Sequence, residues 1–296
     1  MAQVLAIFGP TASGKTAVAE EVARRIPAEL VSADAMQVFR GLPILTNQSE
    51  HPARLVGYLG LDEEGSVAAY QRLAHEAIDE ILTAGRTPVV VGGTGLYLRA
   101  ALANLELPPP PPPGTRDRLV RLYDEEGAEK AHALLAERDP EAAAAVHPND
   151  RRRVVRALEL AEAGASLRPG KDTLWSGETR HPTRVFGLEA PQEELARRIE
   201  ARTQEMFERG VEDEVARALS RPISATASTI HGLRDISELP REEAIEALAA
   251  RTRRYAAYQR KWMRRIPGIV VLDASRSPAE LAQEIVTGLG SVAPAR

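Results

Sequence analysis

The chain has 296 residues and a formal net charge of −4, with 44% hydrophobic and 27% charged residues and no cysteine. These numbers exclude a disordered chain, a disulfide scaffold, thiolate metal sites and cysteine catalysis, and they remove any bulk electrostatic argument for nucleic-acid binding. No stretch approaches the roughly 20 apolar residues of a membrane span, and Met1–Phe8 lacks the basic start of a secretory signal, so a cytoplasmic protein is expected.

In chain order, Val4–Phe8 is an apolar run that reads as a buried strand, followed by helical periodicity over Gly14–Arg25. Glu29–Ser32 reads as a second strand and Val67–Leu82 as a helix ended by Gly85. Thr87–Val91 is almost pure valine, as in a parallel sheet covered on both faces. Pro108–Pro113 is a run of six prolines, a stiff spacer. Thr115 to about Ala163 is helical throughout, and 166–182 is polar loop. Arg184–Leu188 and Ile269–Leu272 read as strands, with helical stretches over Gln192–Leu219, Arg241–Arg264 and Pro278–Leu289. The pattern predicts an α/β fold, a parallel sheet flanked by helices, which the glycine loop over Gly9–Thr16 makes P-loop NTPase-like. Its core is expected over 1–104 and 184–296, interrupted by an all-helical subdomain over 105–183.

Gly9-Pro10-Thr11-Ala12-Ser13-Gly14-Lys15-Thr16 matches G-x-x-x-x-G-K-[ST] between a strand and a helix. In such a loop, backbone N–H groups and the helix N-terminus cradle a phosphate, the lysine reaches its oxygens and the hydroxyl after it holds Mg²⁺. Lys15 and Thr16 take those places. The valine-rich strand ends in Gly92-Gly93-Thr94-Gly95, where an ordinary NTPase has an acidic metal ligand. The nearest acid at a strand end is Asp34, which could hold metal through water, act as a base or cap a helix. Arg198 and Arg202 lie one helical turn apart, and on residues alone a solvated helix face accounts for them. His51, His75, His132 and His181 have no ligand spacing, so no histidine metal site is expected.

Behind the loop, Ser32-Ala33-Asp34-Ala35-Met36-Gln37-Val38-Phe39-Arg40-Gly41, Gly92-Gly93-Thr94-Gly95-Leu96-Tyr97, His147-Pro148-Asn149-Asp150-Arg151-Arg152-Arg153 and Arg198-Ile199-Glu200-Ala201-Arg202 follow in order. With them the chain resembles the tRNA dimethylallyltransferase (isopentenyl-tRNA transferase) family of bacterial type, from the first strand to Trp262. The resemblance implies transfer of a dimethylallyl group from dimethylallyl diphosphate to the exocyclic amine of the adenosine 3′ of the anticodon. Diphosphate is the leaving group, held by the loop (Gly9 to Thr16), Arg198 and Mg²⁺. It implies Asp34 as general base, with Thr94 and Arg202 as catalytic partners. It implies contacts to the tRNA anticodon stem-loop from Ala35, Met36, Gln37, Arg116, Arg152, Arg153, Arg156, His231, Gly232 and Arg234, in a monomer. Arg251–Arg265 holds seven basic residues and no acid, with Tyr255, Tyr258 and Trp262 interleaved, and looks like an RNA-facing helix. The chain departs from the family at Ala35, Phe39, Leu45–Ser49, Leu233 and Tyr258. Competing readings are an adenylate isopentenyltransferase acting on free AMP, ADP or ATP, a P-loop small-molecule kinase, and an RNA-binding protein without chemistry.

Overall fold

The computed structural model describes residues 3–107, 112, 114–167, 174 and 176–290. Pro108–Pro111 and Pro113, most of the proline run, lie outside the described residues. Two units divide the chain, one of Met1–Leu105 with Leu174–Arg296 and one of Glu106–Thr173.

The first unit alternates strand and helix: β1 (Val4–Phe8), α1 (Lys15–Arg25), β2 (Ala28–Ser32), β3 (Ala53–Arg54), α2 (Val67–Thr83), β4 (Thr87–Gly92) and α3 (Gly95–Leu102). The second unit supplies α4 (Thr115–Glu126), α5 (Ala128–Arg138), α6 (Pro140–Ala145) and α7 (Arg151–Glu162). The first unit resumes with β5 (Thr183–Glu189), α8 (Gln192–Glu208), α9 (Val211–Leu219), a 3₁₀ turn at Ala227–Thr229, α10 (Leu233–Glu238), α11 (Arg241–Met263), β6 (Val270–Asp273) and α12 (Pro278–Gly290).

The six strands form one parallel sheet in the order β3-β2-β4-β1-β5-β6. β1 is central and wholly buried, which is why it is five apolar residues without alternation. Leu5, Ile7, Leu30, Val89, Phe186 and Leu188 meet Val18 and Val22 of α1 and Leu281 and Ile285 of α12 in one core. α2 fastens to β2 through the buried Tyr70, whose hydroxyl donates to the Ser32 carbonyl at 2.8 Å. The long helical stretch from Gln192 is two helices, because Gly210 takes a left-handed φ of 83° and caps α9. The expected strands at β1, β2, β4, β5 and β6 are present. The two-residue β3 is too short to leave a period in the sequence.

Residues 174 and 176–182 belong with the first unit, not with the insertion as read from the sequence. The cause is Arg99 of α3, 3% exposed, whose guanidinium donates to the carbonyls of Leu174 (2.8 Å), Ser176 (2.9 Å) and Glu178 (3.3 Å).

The second unit packs α4–α7 around Leu119, Leu135, Val154 and Leu158. Asp139 and Asp150 cap α6 and α7 by accepting the N–H groups of Ala142 and Arg153. Among the described residues no helix is long and apolar enough to cross a membrane.

Candidate active site

The loops after β1, β2 and β4 converge at the carboxyl ends of the strands, where ligands bind in open parallel sheets. There a cavity of about 780 Å³ opens, walled by Thr11, Ala12, Gly14, Lys15 and Thr16 of the phosphate loop, Asp34, Met36 and Gln37 after β2, Val91 and Gly92 of β4, Arg198, Arg202 and Met206 of α8, His231, and Leu248, Thr252, Tyr255 and Gln259 of α11.

The phosphate loop turns on Gly14, whose φ of 82° puts it in the left-handed region at the N-cap of α1. Lys15 Nζ donates to the Pro10 carbonyl at 3.2 Å, so its ammonium curls over the loop. Burial pushes this ammonium down to about 8, the Asp34 carboxylate works the other way, and Arg202 adds to the fall. Lys15 and Asp34 therefore face each other electrostatically across one cavity. Ser13 is 2% exposed and its hydroxyl has no hydrogen-bond partner among the described residues, an uncommon state for a buried polar atom.

α8 closes the loop from above. Arg202 donates to the Thr11 hydroxyl, and Arg198 donates to the carbonyls of Ala12 (3.4 Å) and Ala274 (3.1 Å) and to Glu194. Burial pulls the Arg202 guanidinium below its usual range, opposed by Asp34 and Glu205. Neither arginine is the solvated side chain that residues alone suggested.

After β2, Asp34 Oδ1 accepts the Met36 N–H at 2.9 Å, which shapes the turn and fixes the carboxylate at the cavity wall. Ala35 faces the turn after β4: its N–H donates to Thr94 Oγ1 at 3.1 Å, and Thr94 Oγ1 lies 3.1 Å from the Tyr255 hydroxyl. Burial, with the nearby Asp34 charge, holds the Tyr255 phenol well above its usual range, so it stays protonated. His231 meets the Tyr255 ring edge-on at 4.7 Å. Burial and Arg251 push its imidazole below the usual value.

Gln37 is committed inside the protein. Its Oε1 accepts from Ser32 Oγ at 3.0 Å, and its Nε2 donates to the carbonyls of Thr46 (3.2 Å) and Asn47 (3.1 Å). Its remaining hydrogen-bonding capacity is one lone pair of Oε1.

Of the remaining expected RNA contacts, Gly232 and Arg234 belong to the first unit and Arg116, Arg152, Arg153 and Arg156 to the second. Gly232 caps α10 at a φ of 92°, and exposed Arg234 pairs with Glu238. In the second unit, Arg116 grips both oxygens of Glu159 at 2.6 and 3.1 Å and Arg156 adds a bond at 2.9 Å; the Glu159 carboxylate is fully buried. Arg152 and Arg153 are exposed and make no ion pair among the described residues.

Three residues were not read from the sequence as site residues. Gln259, 2% exposed, links Thr11 to Gly93. Tyr255, read only as part of a basic stretch, sits on Thr94. Glu214, 3% exposed, accepts the N–H groups of Ile44 (2.9 Å) and Leu45 (2.8 Å), and Leu45 lines the cavity. The signal for the first two is helical spacing: Leu248, Thr252, Tyr255 and Gln259 recur at i, i+4, i+7 and i+11 on one face of α11.

The parallel sheet, the glycine loop after β1 and a strand β4 that ends in glycine instead of an acid define a P-loop-like fold. The IPP transferase family model matches residues 37–266, and the isopentenyl transferase model matches residues 2–53. The tRNA dimethylallyltransferase of Thermobifida fusca is 40% identical over 91% of this chain and 89% of its own. That of Corynebacterium urealyticum is 37% identical over 96% and 91%. The crystal structure of the tRNA isopentenylpyrophosphate transferase of Bacillus halodurans is 32% identical, covers 98% of this chain and 96% of its own, and superposes with a TM-score of 0.71. A eukaryotic dimethylallyltransferase acting on tRNA, 24% identical, shares the fold with a TM-score of 0.78 over 97% of this chain and 78% of its own. The chain belongs to the IPP transferase family and is a prenyltransferase.

Proposed function

We propose that the protein transfers the dimethylallyl group of dimethylallyl diphosphate to the exocyclic N6 of the adenosine 3′ of the anticodon in tRNA. The observation that carries this reading is that Lys15, Thr16 and Arg202 line the same cavity as Asp34. Cationic and N–H groups for a leaving diphosphate thus sit beside a carboxylate for an amine proton.

In the reaction, the bond between the allylic carbon and diphosphate oxygen breaks, the N6–carbon bond forms, and N6 loses a proton. Lys15, Arg202 and the loop N–H groups take up the negative charge growing on diphosphate. Asp34 accepts the N6 proton; its Oδ1 is steadied by the Met36 N–H. Apolar Met206 and Leu248 on the cavity wall suit the prenyl chain and keep water from it. A base buried in a stem-loop must leave its stack to reach this cavity, and Gln37 and Met36 are placed to meet it.

The hydroxyl of Thr16 is a hard oxygen donor on the cavity wall, and among the described residues no cluster of three or more His, Asp or Glu gathers. So sparse a set fits Mg²⁺, which retains waters and takes its other ligands from substrate phosphates. When bound there, Mg²⁺ neutralises charge on the leaving diphosphate.

In the first unit RNA contacts fall on α11 and the residues after it, where Arg254, Tyr258, Lys261 and Arg265 recur along one exposed stripe, and in the second unit on Arg152 and Arg153. A protein of this kind acts in the cytoplasm as a monomer.

The test mixes protein, Mg²⁺ and radiolabelled dimethylallyl diphosphate with an anticodon stem-loop carrying three consecutive adenosines, or with AMP. Label in the stem-loop alone supports the reading. Label in AMP alone moves the protein to the free-nucleotide prenyltransferases.

A further inference from the structure

Gln259 belongs to no part of the phosphate loop or of the turn after β4, yet it holds both. Its Oε1 accepts the Thr11 N–H at 2.7 Å and its Nε2 donates to the Gly93 carbonyl at 2.9 Å. A carboxamide offers one neutral acceptor and one neutral donor side by side, which is what an N–H on one loop and a C=O on the other require. Gly93 makes room for it: a Cβ there would overlap Gln259 Nε2 and come within 3.0 Å of the Gly9 carbonyl. One helical turn back on the same face of α11, Tyr255 meets Thr94, the residue after Gly93. A single helix face thus fastens the loop that carries Lys15 to the turn that carries Thr94.

We propose that Gln259 is a positioning residue for prenyl transfer: it fixes the phosphate loop against the Gly93–Thr94 turn, so that the allylic carbon of the donor and the acceptor amine meet. This rests on the reading of the loop as the diphosphate site and of Thr94 and Asp34 as the acceptor side. A consequence is that the Thr11 N–H is spent on Gln259 and is not among the loop amides that face phosphate. Because a misplacement of about 1 Å can cost about 10²-fold in rate, losing the brace should slow the chemical step more than it weakens either substrate.

The experiment compares the parent with Gln259→Met, which keeps the length and removes both bonds, and Gln259→Glu, which keeps only the acceptor. Single-turnover transfer to the stem-loop, donor and RNA affinities, thermal melting and hydrogen exchange of the segment around Thr11 are measured for each. Gln259→Met is expected to slow transfer by about 10–10²-fold with both affinities within about threefold, and to lose protection of the Thr11 amide. Gln259→Glu should fall between it and the parent. Gly93→Ala, which pushes the amide aside with Gln259 still present, should show the same signature and covers the case in which Gln259→Met does not fold. A Gln259→Met protein that transfers within about twofold of the parent, or that keeps Thr11 protected, overturns the brace. So does a rate loss matched by an equal loss of donor affinity. A parent that labels no RNA overturns the reading beneath it, which an active parent with an insensitive Gln259→Met leaves standing.

Discussion

Thr94 and Tyr255, 161 residues apart, meet hydroxyl to hydroxyl at 3.1 Å beside the end of β4. Thr94 Oγ1 also accepts the Ala35 N–H, so the segments after β2 and β4 and helix α11 are joined at one atom. Tyr255 keeps its proton, so the pair can run either way; with the phenol as donor, Thr94 accepts twice and has its own proton left to give.

Thr94→Val removes that hydroxyl at nearly constant volume and strands the Ala35 N–H and the Tyr255 hydroxyl. Transfer should slow by roughly 10–10³-fold, while Thr94→Ser should stay within about tenfold of the parent. Single-turnover transfer rates check the ranking, and equal losses in both variants would remove the hydroxyl from the mechanism.

Lys15 carries a signed pH dependence. Its ammonium sits at about 8 in the fold against an ordinary lysine value of 10.5. The charged form is disfavoured in the folded protein, so its cost is fully present below pH 8 and is relieved as pH rises towards 10.5, where the unfolded chain binds more protons. Lys15→Met should therefore be more stable than the parent at pH 7 by roughly 1–3 kcal/mol, an advantage that shrinks above pH 8. Donor binding runs the other way, with the KM for dimethylallyl diphosphate rising above pH 8 as the ammonium is lost. Melting curves and donor titrations from about pH 6 to 10 measure both.

The arginines of the second unit should separate into two behaviours. Arg116 neutralises the buried Glu159 carboxylate, so Arg116→Ala should destabilise that unit by about 1–3 kcal/mol, with Arg156 still bound to Glu159. Arg152→Ala and Arg153→Ala should leave melting unchanged and each lower the slope of log affinity for RNA against log salt by about 1. Identical salt slopes in parent and variants would place the RNA elsewhere.

The phosphate loop was legible because its chemistry is contiguous: eight residues carry the turn, the lysine and the hydroxyl. Strands β1 and β4 were legible because burial on both faces leaves unbroken apolar runs. What stayed hidden depends on distant partners. Gln259 reads as one polar residue in a charged helix until the fold brings Thr11 to it across 248 positions. Arg99 leaves no signal in the sequence, yet its guanidinium is the anchor that ties Leu174, Ser176 and Glu178 to α3. Arg116 and Arg156 match an RNA-contact pattern in sequence, and only the fold shows Glu159 beneath them. Gln37 likewise matches a base-reading position, and only the fold shows Ser32, Thr46 and Asn47 holding its amide so that a single Oε1 lone pair remains.

The central claim is that Asp34 takes the amine proton in the cavity where Lys15 holds the leaving group. Asp34→Asn keeps the oxygen that accepts the Met36 N–H and removes the base. The most direct measurement is single-turnover transfer to the stem-loop, together with the RNA dissociation constant, for parent and Asp34→Asn. The rate should fall by about 10²–10⁴-fold with the dissociation constant within about twofold. An unchanged rate, or a loss of RNA affinity as large as the loss of rate, would contradict the assignment and make Asp34 a contact to RNA instead of the base.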